Sequence, residues 1–285
     1  NVSIKGKGEN KAILNANGEK NVLYLRNVQH AKIDGITITN GSADNGGGFY
    51  CFISSPSLSN VTITENSAND DGGGIYCFGS SPSLSNVTVT RNSAKNNGGG
   101  FFCLGSSPSL SNVTITENSA NDDGGGIYCD ESSPSLSNVT ITGNSANDDG
   151  GGIYCDESSP SLSNVTITRN SAKNYGGGIY CDASNIFLVN SILWHNSPQA
   201  IYLSIAWRTT TTIINYSNIE NGFDGIVNTD SNNTILWQDG NISTPPLFIN
   251  PDDNFQLQTN SPCINSGHRA YPTVGGSKSY PNTSS

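Results

Sequence analysis

Short stretches of the chain alternate between hydrophobic and polar residues. The segment LSNVTIT at 58–64 places Leu58, Val61 and Ile63 among serine and threonine, and IYC at 75–77 alternates again. A period of two is typical of strands with one buried face, and neither stretch has helical spacing. Between them, NSAN at 66–69 and GGG at 72–74 break the strands, because Gly and Asn tolerate left-handed backbone conformations. The pattern predicts short strands joined by sharp turns.

This pattern recurs with a constant period. The motif SSPSLSNVTITENSANDDGGGIYC is copied with few changes, and six cysteines lie 26 residues apart, at Cys51, Cys77, Cys103, Cys129, Cys155 and Cys181. One such unit cannot bury its few apolar side chains alone, whereas units stacked in register form parallel strands and a continuous interior. The repeat therefore predicts an all-β parallel solenoid with 26-residue coils. The predicted inward positions are Leu58, Val61, Ile63, Ala68, Ile75 and Cys77 with their equivalents.

The repeats resemble a known group of proteins. GGGIYC and NSAxxxGGG are similar to repeats of bacterial and archaeal right-handed parallel β-helix surface proteins, which include the polymorphic outer-membrane adhesins. GITITNGSADNGGG resembles the usual first repeat of such proteins, and PPLFINPDDNFQLQTNSPCINSG resembles the extended segment that commonly ends them. The resemblance implies a right-handed β-helix and a location outside the cell or at its surface. It says little about function, because the same solenoid serves lyases, hydrolases, adhesins and fibres.

The repeat also predicts how the chain is organised. We expect a single β-helix domain over residues 1–243, with regular coils at about 36–184 and degenerate coils at both ends. Residues 244–285 are expected to form an extended C-terminal cap followed by a flexible tail, SKSYPNTSS, because the proline-rich PPLFINPDDN interrupts any coil.

The composition of the chain argues against some classes of binding partner. The chain has 285 residues, a formal net charge of −10 and 13% charged residues, and its lysines and arginines are scattered. Without a basic cluster we expect no nucleic-acid partner. No apolar run is long enough to span a bilayer. The opening residues do not have the pattern of a leader, and we expect a mature or trimmed product.

The repeated cysteines and asparagines have structural interpretations. The cysteines lack the paired spacing of zinc sites and occupy an inward strand position, so we expect inert core thiols, with Cys263 as an odd seventh. Five asparagines open Asn-Val-Thr, an N-glycosylation pattern, but stacked asparagines also form hydrogen-bonded ladders. We expect such an inward ladder, which could not carry glycans, at Asn60, Asn86, Asn112, Asn138 and Asn164.

An outward aromatic ladder is the main candidate binding surface. It comprises Tyr50, Tyr76, Phe102, Tyr128, Tyr154 and Tyr180. Aromatic faces on a flat sheet offer stacking surface for sugar rings or for a neighbouring molecule. The alternative is that these aromatics are favourable strand residues that stack on one another.

Charged residues follow the repeat as well. Glu65, Arg91 and Glu117 occupy equivalent positions in successive coils, so opposite charges are expected to face each other across about 4.8 Å. Two adjacent coils instead carry acidic pairs, and a hard cation such as calcium would relieve their repulsion. This weaker metal hypothesis concerns Asp122, Asp123, Asp148 and Asp149; no motif requires a cofactor.

Three classes of function remain open. Near-perfect copying favours a structural or adhesive protein of the cell surface or the extracellular matrix. A carbohydrate-binding or carbohydrate-active protein, of lyase or hydrolase type, would need single-copy residues where the repeat fails, namely Trp194, His195, Arg208, Asp224, Asp230 and Asp239. A minor alternative is ice binding by two outward threonine files, Thr37 and Thr39 with their equivalents up to Thr166 and Thr168.

Self-association is the last expectation from sequence. The terminal coils of a solenoid expose unpaired strand edges, which template the addition of further strands. NVSIKGKG begins on a strand pattern, and PLFIN and FQLQ are extended stretches that would complete an edge. We therefore expect end-to-end or lateral association with further copies, and a polysaccharide as the other candidate partner.

Overall fold

The computed structural model describes residues 2–7, 12–205, 207–250 and 254–268. Here the chain winds into a parallel β-solenoid with three sheets along its length. The widest, sheet A, is formed by the Ser-Leu-Ser and Thr-Ile-Thr segments of each coil. Its strands are Val2–Lys5, Ala12–Asn15, Ala31–Asp34, Ile36–Thr39, Ser57–Ser59, Thr62–Thr64, Ser83–Thr90, Ser109–Thr116, Ser135–Ser137, Thr140–Thr142, Ser161–Ser163, Thr166–Thr168, Ile186–Val189, Ile192–Trp194, Thr210–Asn215, Asn218–Ile219 and Asn233–Trp237.

Two narrower sheets complete each coil. Sheet B contains the Ile-Tyr-Cys segments, at Leu23–Arg26, Phe49–Phe52, Ile75–Phe78, Phe101–Leu104, Ile127–Asp130, Ile153–Asp156, Ile179–Asp182, Ile201–Leu203 and Ile226–Asn228. Sheet C consists of Ser-Ala pairs, at Ser42–Ala43, Ser67–Ala68, Ser93–Ala94, Ser119–Ala120, Ser145–Ala146 and Ser171–Ala172. In the described parts of the chain, helix is confined to a 3₁₀ turn at Gly222–Gly225, and no helix there has the length and apolar character to cross a bilayer.

The register between coils is the register of the sequence repeat. Leu84 pairs with Leu110 in sheet A, and Cys77 pairs with Cys103 in sheet B. Identical side chains therefore stack directly above one another. The predicted inward positions are confirmed, since these six residues are at most 4% exposed: Leu58, Val61, Ile63, Ala68, Ile75 and Cys77. One continuous core runs along the solenoid axis.

Left-handed residues form the corners of each coil. Asn60 has φ 54° and divides sheet A, and Glu65 has φ 57° where sheet A ends. The same two positions have positive φ in the following coils, for example Asn112 and Glu117. Asparagine is among the few non-glycine residues that adopt this conformation readily. Each corner interrupts the alternation of inward and outward side chains.

Glycine is needed where one coil approaches the next. A Cβ atom on Gly73 would overlap the backbone of Ser93, and one on Gly74 would lie 2.6 Å from the carbonyl oxygen of Gly100. The same clash recurs through the triple glycines of later coils, such as Gly125 against Ser145. The triple glycine therefore allows successive coils to stack closely at the corner between sheet C and sheet B.

The C-terminal segment forms an antiparallel hairpin, Phe248–Asn250 with Asn254–Leu257. Its described part lies along the outer side of sheet A: Phe255 and Gln256 line one groove with threonines of successive coils. Further on, His268 exchanges two hydrogen bonds with Asn190, at 2.7 and 3.1 Å. Residues 254–268 thus form a strap along the side of the solenoid. A C-terminal cap over residues 244–285 stays a prediction. The expected flexible tail, SKSYPNTSS, lies outside the described residues.

Candidate functional site

The aromatic ladder is continuous along sheet B. Eight rings stack with centroids 4.8–5.4 Å apart and planes within 11° of parallel. They are Tyr24, Tyr50, Tyr76, Phe102, Tyr128, Tyr154, Tyr180 and Tyr202. The in-register pairing of the strands explains this stacking, since one ring stands above the next at the strand spacing.

The faces of these rings are therefore occupied by neighbouring rings. Phe102 is 5% exposed and Tyr180 is 8% exposed, and the other four residues of the proposed surface are half-buried. Burial raises the pKa of Tyr76 and of Tyr180 to about 12. The ladder presents ring edges and protonated hydroxyl groups rather than flat faces. Stacking of the aromatics on one another, the alternative considered above, is the arrangement found, and ligand binding by the ladder stays a prediction.

The cysteine ladder is fully internal. The six repeated cysteines are unpaired and at most 3% exposed, while Cys263 is half-buried. Burial raises the pKa of the Cys77 and Cys103 thiols well above the ordinary range. Hydrogen bonds with neighbouring cysteines instead lower the pKa of the Cys51 and Cys129 thiols. All six thiols lack solvent access, which agrees with the expected core role.

We predict that native protein labels rapidly at one thiol only. Cys263 is expected to react first with a thiol reagent, and the six core thiols only after unfolding, because their sulfurs have no access to water. Counting labelled thiols by mass spectrometry with and without denaturant tests this. The Cys263→Ser variant is the control and should show no rapid label. Rapid labelling of several thiols in that variant would mean that the cysteine face of sheet B is not internal.

The asparagine ladder exists, but at a position other than the expected one. Asn60, Asn86 and Asn112 are exposed, so their inward placement was wrong. The left-handed corner turns their side chains out of the alternating pattern. The objection that an inward asparagine cannot carry a glycan therefore does not apply to these three residues. Asn138 and Asn164 are half-buried.

The buried asparagine ladder begins at Asn66, in the NSAN segment that the sequence pattern assigned to a break between strands. Asn66 is 1% exposed, and its Nδ2 donates to the Oδ1 of Asn92 at 2.9 Å. The same side-chain bond of 2.9–3.0 Å continues through each later coil. The ladder is formed by Asn66, Asn92, Asn118, Asn144, Asn170 and Asn196. The signal was present as a second asparagine with the 26-residue period.

The four aspartates of the metal hypothesis have different roles. Asp123 Oδ1 accepts a hydrogen bond from the backbone N–H of Asp149 at 2.8 Å, and Asp149 Oδ1 accepts from Tyr175 at 2.9 Å. Asp122 is half-buried and Asp148 is exposed. Burial, with the charges of the other three, raises the pKa of Asp123 to about 6. Among the described residues, no three His, Cys, Asp or Glu side chains are grouped to hold a metal ion. Calcium binding stays a prediction.

A second column of acidic residues, absent from the sequence-based predictions, lies at the end of sheet B. Asp130, Asp156 and Asp182 are in-register partners at the end of sheet B, two residues beyond the tyrosines. Glu131 and Glu157 follow in the exposed left-handed corner. Burial, and then the charges of Asp130, Asp182 and Glu157, raise the pKa of Asp156 to about 6. These five carboxylates form the most concentrated negative charge on sheet B.

We predict that the protein is more stable in mild acid than at neutral pH. The pKa values of Asp123 and Asp156 rise from the ordinary 3.8 to about 6, and those of Asp71, Asp149 and Asp182 also rise through burial. A carboxyl with a raised folded-state pKa contributes stability below about pH 4, and that contribution is lost as the pH rises through about 6. Melting temperatures measured from pH 4 to pH 8 should fall with rising pH. In the double variant Asp123→Asn, Asp156→Asn the melting temperature should fall less between pH 4 and pH 8. An unchanged fall would mean that these two carboxyl groups do not cause the pH dependence.

The alternating charges at the corner of sheet A pair as expected. Arg91 lies 3.6 Å from Glu65 and 4.0 Å from Glu117. All three side chains are more than half exposed, so each pair stabilises by less than about 1 kcal/mol. These residues are a surface charge pattern.

The threonine files are only partly exposed. The file of Thr62 is half-buried, and Thr39, Thr64, Thr90 and Thr168 of the second file are only 1–9% exposed. The second file still faces outward, since Thr90, Thr116 and Thr142 line the groove on the outer side of sheet A. Phe255 and Gln256 of the strap also lie over part of the array, beside Thr114 and Thr140. A flat, uncovered double file of hydroxyls, as ice binding requires, is not present over these coils.

The single-copy residues of the irregular third have separate local partners. His195 Nε2 lies 3.9 Å from Glu220, and Arg208 donates to the carbonyl oxygen of Ala183 at 2.6 and 2.9 Å. Asp230 Oδ1 accepts from the backbone of Asn232 at 3.0 Å. Asp224 lies in the 3₁₀ turn. His195 and Arg208 are thus tied to neighbouring coils, and Asp230 to its own turn.

Comparison with known families gives one result. The model of the right-handed β-helix region matches residues 12–162 and, again, residues 111–244. The two overlapping matches cover well over half of the chain and agree with the observed solenoid. No curated protein and no solved structure matches.

Proposed function

The chain belongs to the right-handed β-helix family, and we propose that it is a secreted or cell-surface structural solenoid whose long faces serve adhesion or scaffolding. The observation that supports this most directly is the use of the repeated polar groups. Asparagine amides and tyrosine rings form ladders between coils, at 2.9–3.0 Å and 4.8–5.4 Å respectively. The repeated asparagine amides and aromatic rings therefore hold successive coils together in a uniform rod.

A rod of this kind presents periodic surfaces. Each coil adds the same outward residues at the strand spacing of about 4.8 Å, so a partner with a repeated structure meets many equivalent contacts. Weak contacts repeated along such a surface add up to strong attachment. The resemblance to adhesin repeats, carried by GGGIYC and NSAxxxGGG, is in keeping with this function.

Localisation of the native protein tests the proposal. Immunogold electron microscopy of source cells with antibodies against the solenoid should show label on the surface or in extracellular material. Cells lacking the protein should attach less well to their natural substratum, and purified solenoid should restore attachment. Label confined to the cytoplasm, with unchanged attachment, would refute the proposal.

Carbohydrate binding is the second candidate, and one groove favours it. The groove between sheet A and the strap is lined by threonine hydroxyls, Gln256 and the ring of Phe255. Hydroxyl rows beside an aromatic ring suit a sugar chain. A panel of neutral and acidic polysaccharides, tested for binding and for turnover, should give a ligand whose affinity falls in Phe255→Ala. Equal affinity of the variant would exclude this groove.

End-to-end association is the remaining part of the proposal. A contact between unlike ends that does not close produces an open filament. Light scattering over a wide concentration range should show a mass that grows with concentration. A constant monomer mass for the full-length native protein would exclude filament formation.

A further inference from the structure

We propose that the outer edge of sheet B is a docking surface for an extended protein segment that carries apolar side chains followed by lysine or arginine. The inference deepens the proposed function, on which it rests, by naming one face and the chemistry of its partner. The surface consists of the strand ends and corners that follow the tyrosine ladder. It is apolar in the N-terminal coils and acidic in the next three.

The apolar half is an exposed notch. Ile53 is 45% exposed and Phe78 is 37% exposed, and the rings of Phe52 and Phe78 stack at 5.1 Å. In the next two coils the corner residues are Gly79 and Gly105. Beside Gly105 an added Cβ would meet no atom within 4 Å, and beside Gly79 the nearest is a side-chain atom of Ile53 at 3.8 Å. The glycines leave room for a partner's side chain beside Phe78.

The acidic half continues the same two columns. Asp130, Asp156 and Asp182 take the positions of Phe52 and Phe78, and Glu131 and Glu157 take those of Ile53 and the glycines. Five carboxylates thus face outward over three coils at the strand spacing of about 4.8 Å. Their mutual repulsion is the second cause, after burial, that raises the pKa of Asp156.

Arg208 offsets part of this charge. It partly counteracts the rise in the pKa of Asp156, while its guanidinium is held by hydrogen bonds to the carbonyl oxygen of Ala183. At the opposite end of the surface, the guanidinium of Arg26 lies 5.3 Å from the centre of the Phe52 ring. The surface therefore runs from a cation, over an apolar notch, to five carboxylates with one arginine nearby.

The order of apolar and acidic residues along this surface indicates which kind of partner would bind it. A metal ion or a polyamine would neutralise the carboxylates but would leave Phe78 and Ile53 uncovered. An apolar peptide would cover the notch and leave the repulsion. A segment with apolar residues at one end and basic residues at the other satisfies both halves, in one direction along the solenoid axis.

Fluorescence anisotropy with labelled peptides tests the surface. The probe is the peptide Leu-Phe-Leu-Gly-Lys-Gly-Lys-Gly-Lys, and the comparison peptides replace its lysines by glutamate or its apolar residues by serine. We expect the probe to bind about tenfold or more tightly than either comparison peptide, with an affinity that falls as salt is added. Spermine is the competitor that tests neutralisation of charge without apolar contact.

Variants locate the binding. The triple variant Asp130→Asn, Asp156→Asn, Asp182→Asn should bind the probe about tenfold or more weakly. We expect the variant to keep the fold, because the substitutions remove the repulsion between three carboxylates. Phe78→Ser should reduce the advantage over the serine peptide. The matched control is Glu117→Gln, Asp122→Asn, Asp148→Asn, which removes the same charge away from sheet B and should leave the affinity unchanged.

Several outcomes would overturn the proposal. They are the lack of saturable probe binding, equal binding of the glutamate peptide, an equal loss in the control triple variant, and spermine binding as tightly as the probe. The test is separate from that of the proposed function. A protein found at the cell surface that ignores the probe would refute only this docking surface, and an intracellular protein that binds the probe would refute only the surface location.

Discussion

Replacing Asn118 by alanine is expected to lower the free energy of unfolding by about 3 to 5 kcal/mol, because several buried groups lose partners that are worth about 1–3 kcal/mol each. Asn118 is 1% exposed. Its Nδ2 donates to the carbonyl oxygen of Val89 at 3.0 Å and to Asn144 Oδ1 at 2.9 Å. Its Oδ1 accepts from the backbone N–H and from Nδ2 of Asn92, at 3.0 and 2.9 Å. Alanine removes all four bonds from a site that water does not reach.

The control for this variant is the other asparagine of the same coil. Asn112 is exposed and has φ 55°, a conformation that glycine adopts without strain. Asn112→Gly should change the free energy of unfolding by less than about 1 kcal/mol. Chemical denaturation of both variants, followed by circular dichroism, measures the difference. Similar losses in the two variants would mean that the buried amide ladder does not stabilise the solenoid.

Replacing Gly125 by alanine is expected to destabilise the protein by at least about 3 kcal/mol, at the upper end of the usual cost of overpacking. The added Cβ would overlap the carbonyl group of Ser145 and lie 2.7 Å from the carbonyl oxygen of Gly151. These atoms belong to the backbone of the next coil, and they cannot move without breaking the hydrogen bonds between coils. A methyl group here therefore pushes apart two successive coils and weakens their pairing in both sheet B and sheet C.

A glycine elsewhere in the same repeat provides the comparison. Gly143 has φ 63°, and the nearest atom to an added Cβ is Glu117 Cγ at 3.9 Å. The equivalent positions hold Arg91 and Arg169 in the same left-handed conformation. Gly143→Arg should therefore cost no more than about 1–2 kcal/mol, the price of left-handed backbone strain. If melting temperatures show Gly125→Ala to be the milder change, close packing between coils is not what requires the triple glycine.

The period of the sequence determined which residues stack on which. Copies 26 residues apart can pair in register only if each coil lies on the preceding one, and alternation then places Leu58, Ile63, Ile75 and Cys77 inside. The parallel solenoid, its core and the aromatic ladder follow from these two regularities. Neither needs any knowledge of the path of the chain at its corners.

Tertiary structure alone decided which asparagine lies inside. Asn60 and Asn66 recur with the same period, so their spacing does not distinguish them. The left-handed corners at Asn60 and Glu65 shift the phase of the alternation, which exposes the first asparagine and buries the second. Alternation predicts side-chain direction only along a strand.

The strap and the acidic column were also decided by the folded chain. Residues 254–268 have no copy elsewhere, so nothing in the repeat indicates that His268 meets Asn190 or that Phe255 lies over the threonines. Asp130, Asp156 and Asp182 are visible as copies, but their charge matters because stacking in register brings them together at partial burial. Periodicity specifies neighbours between coils, whereas contacts of unrepeated segments and the burial of charge depend on the complete three-dimensional path.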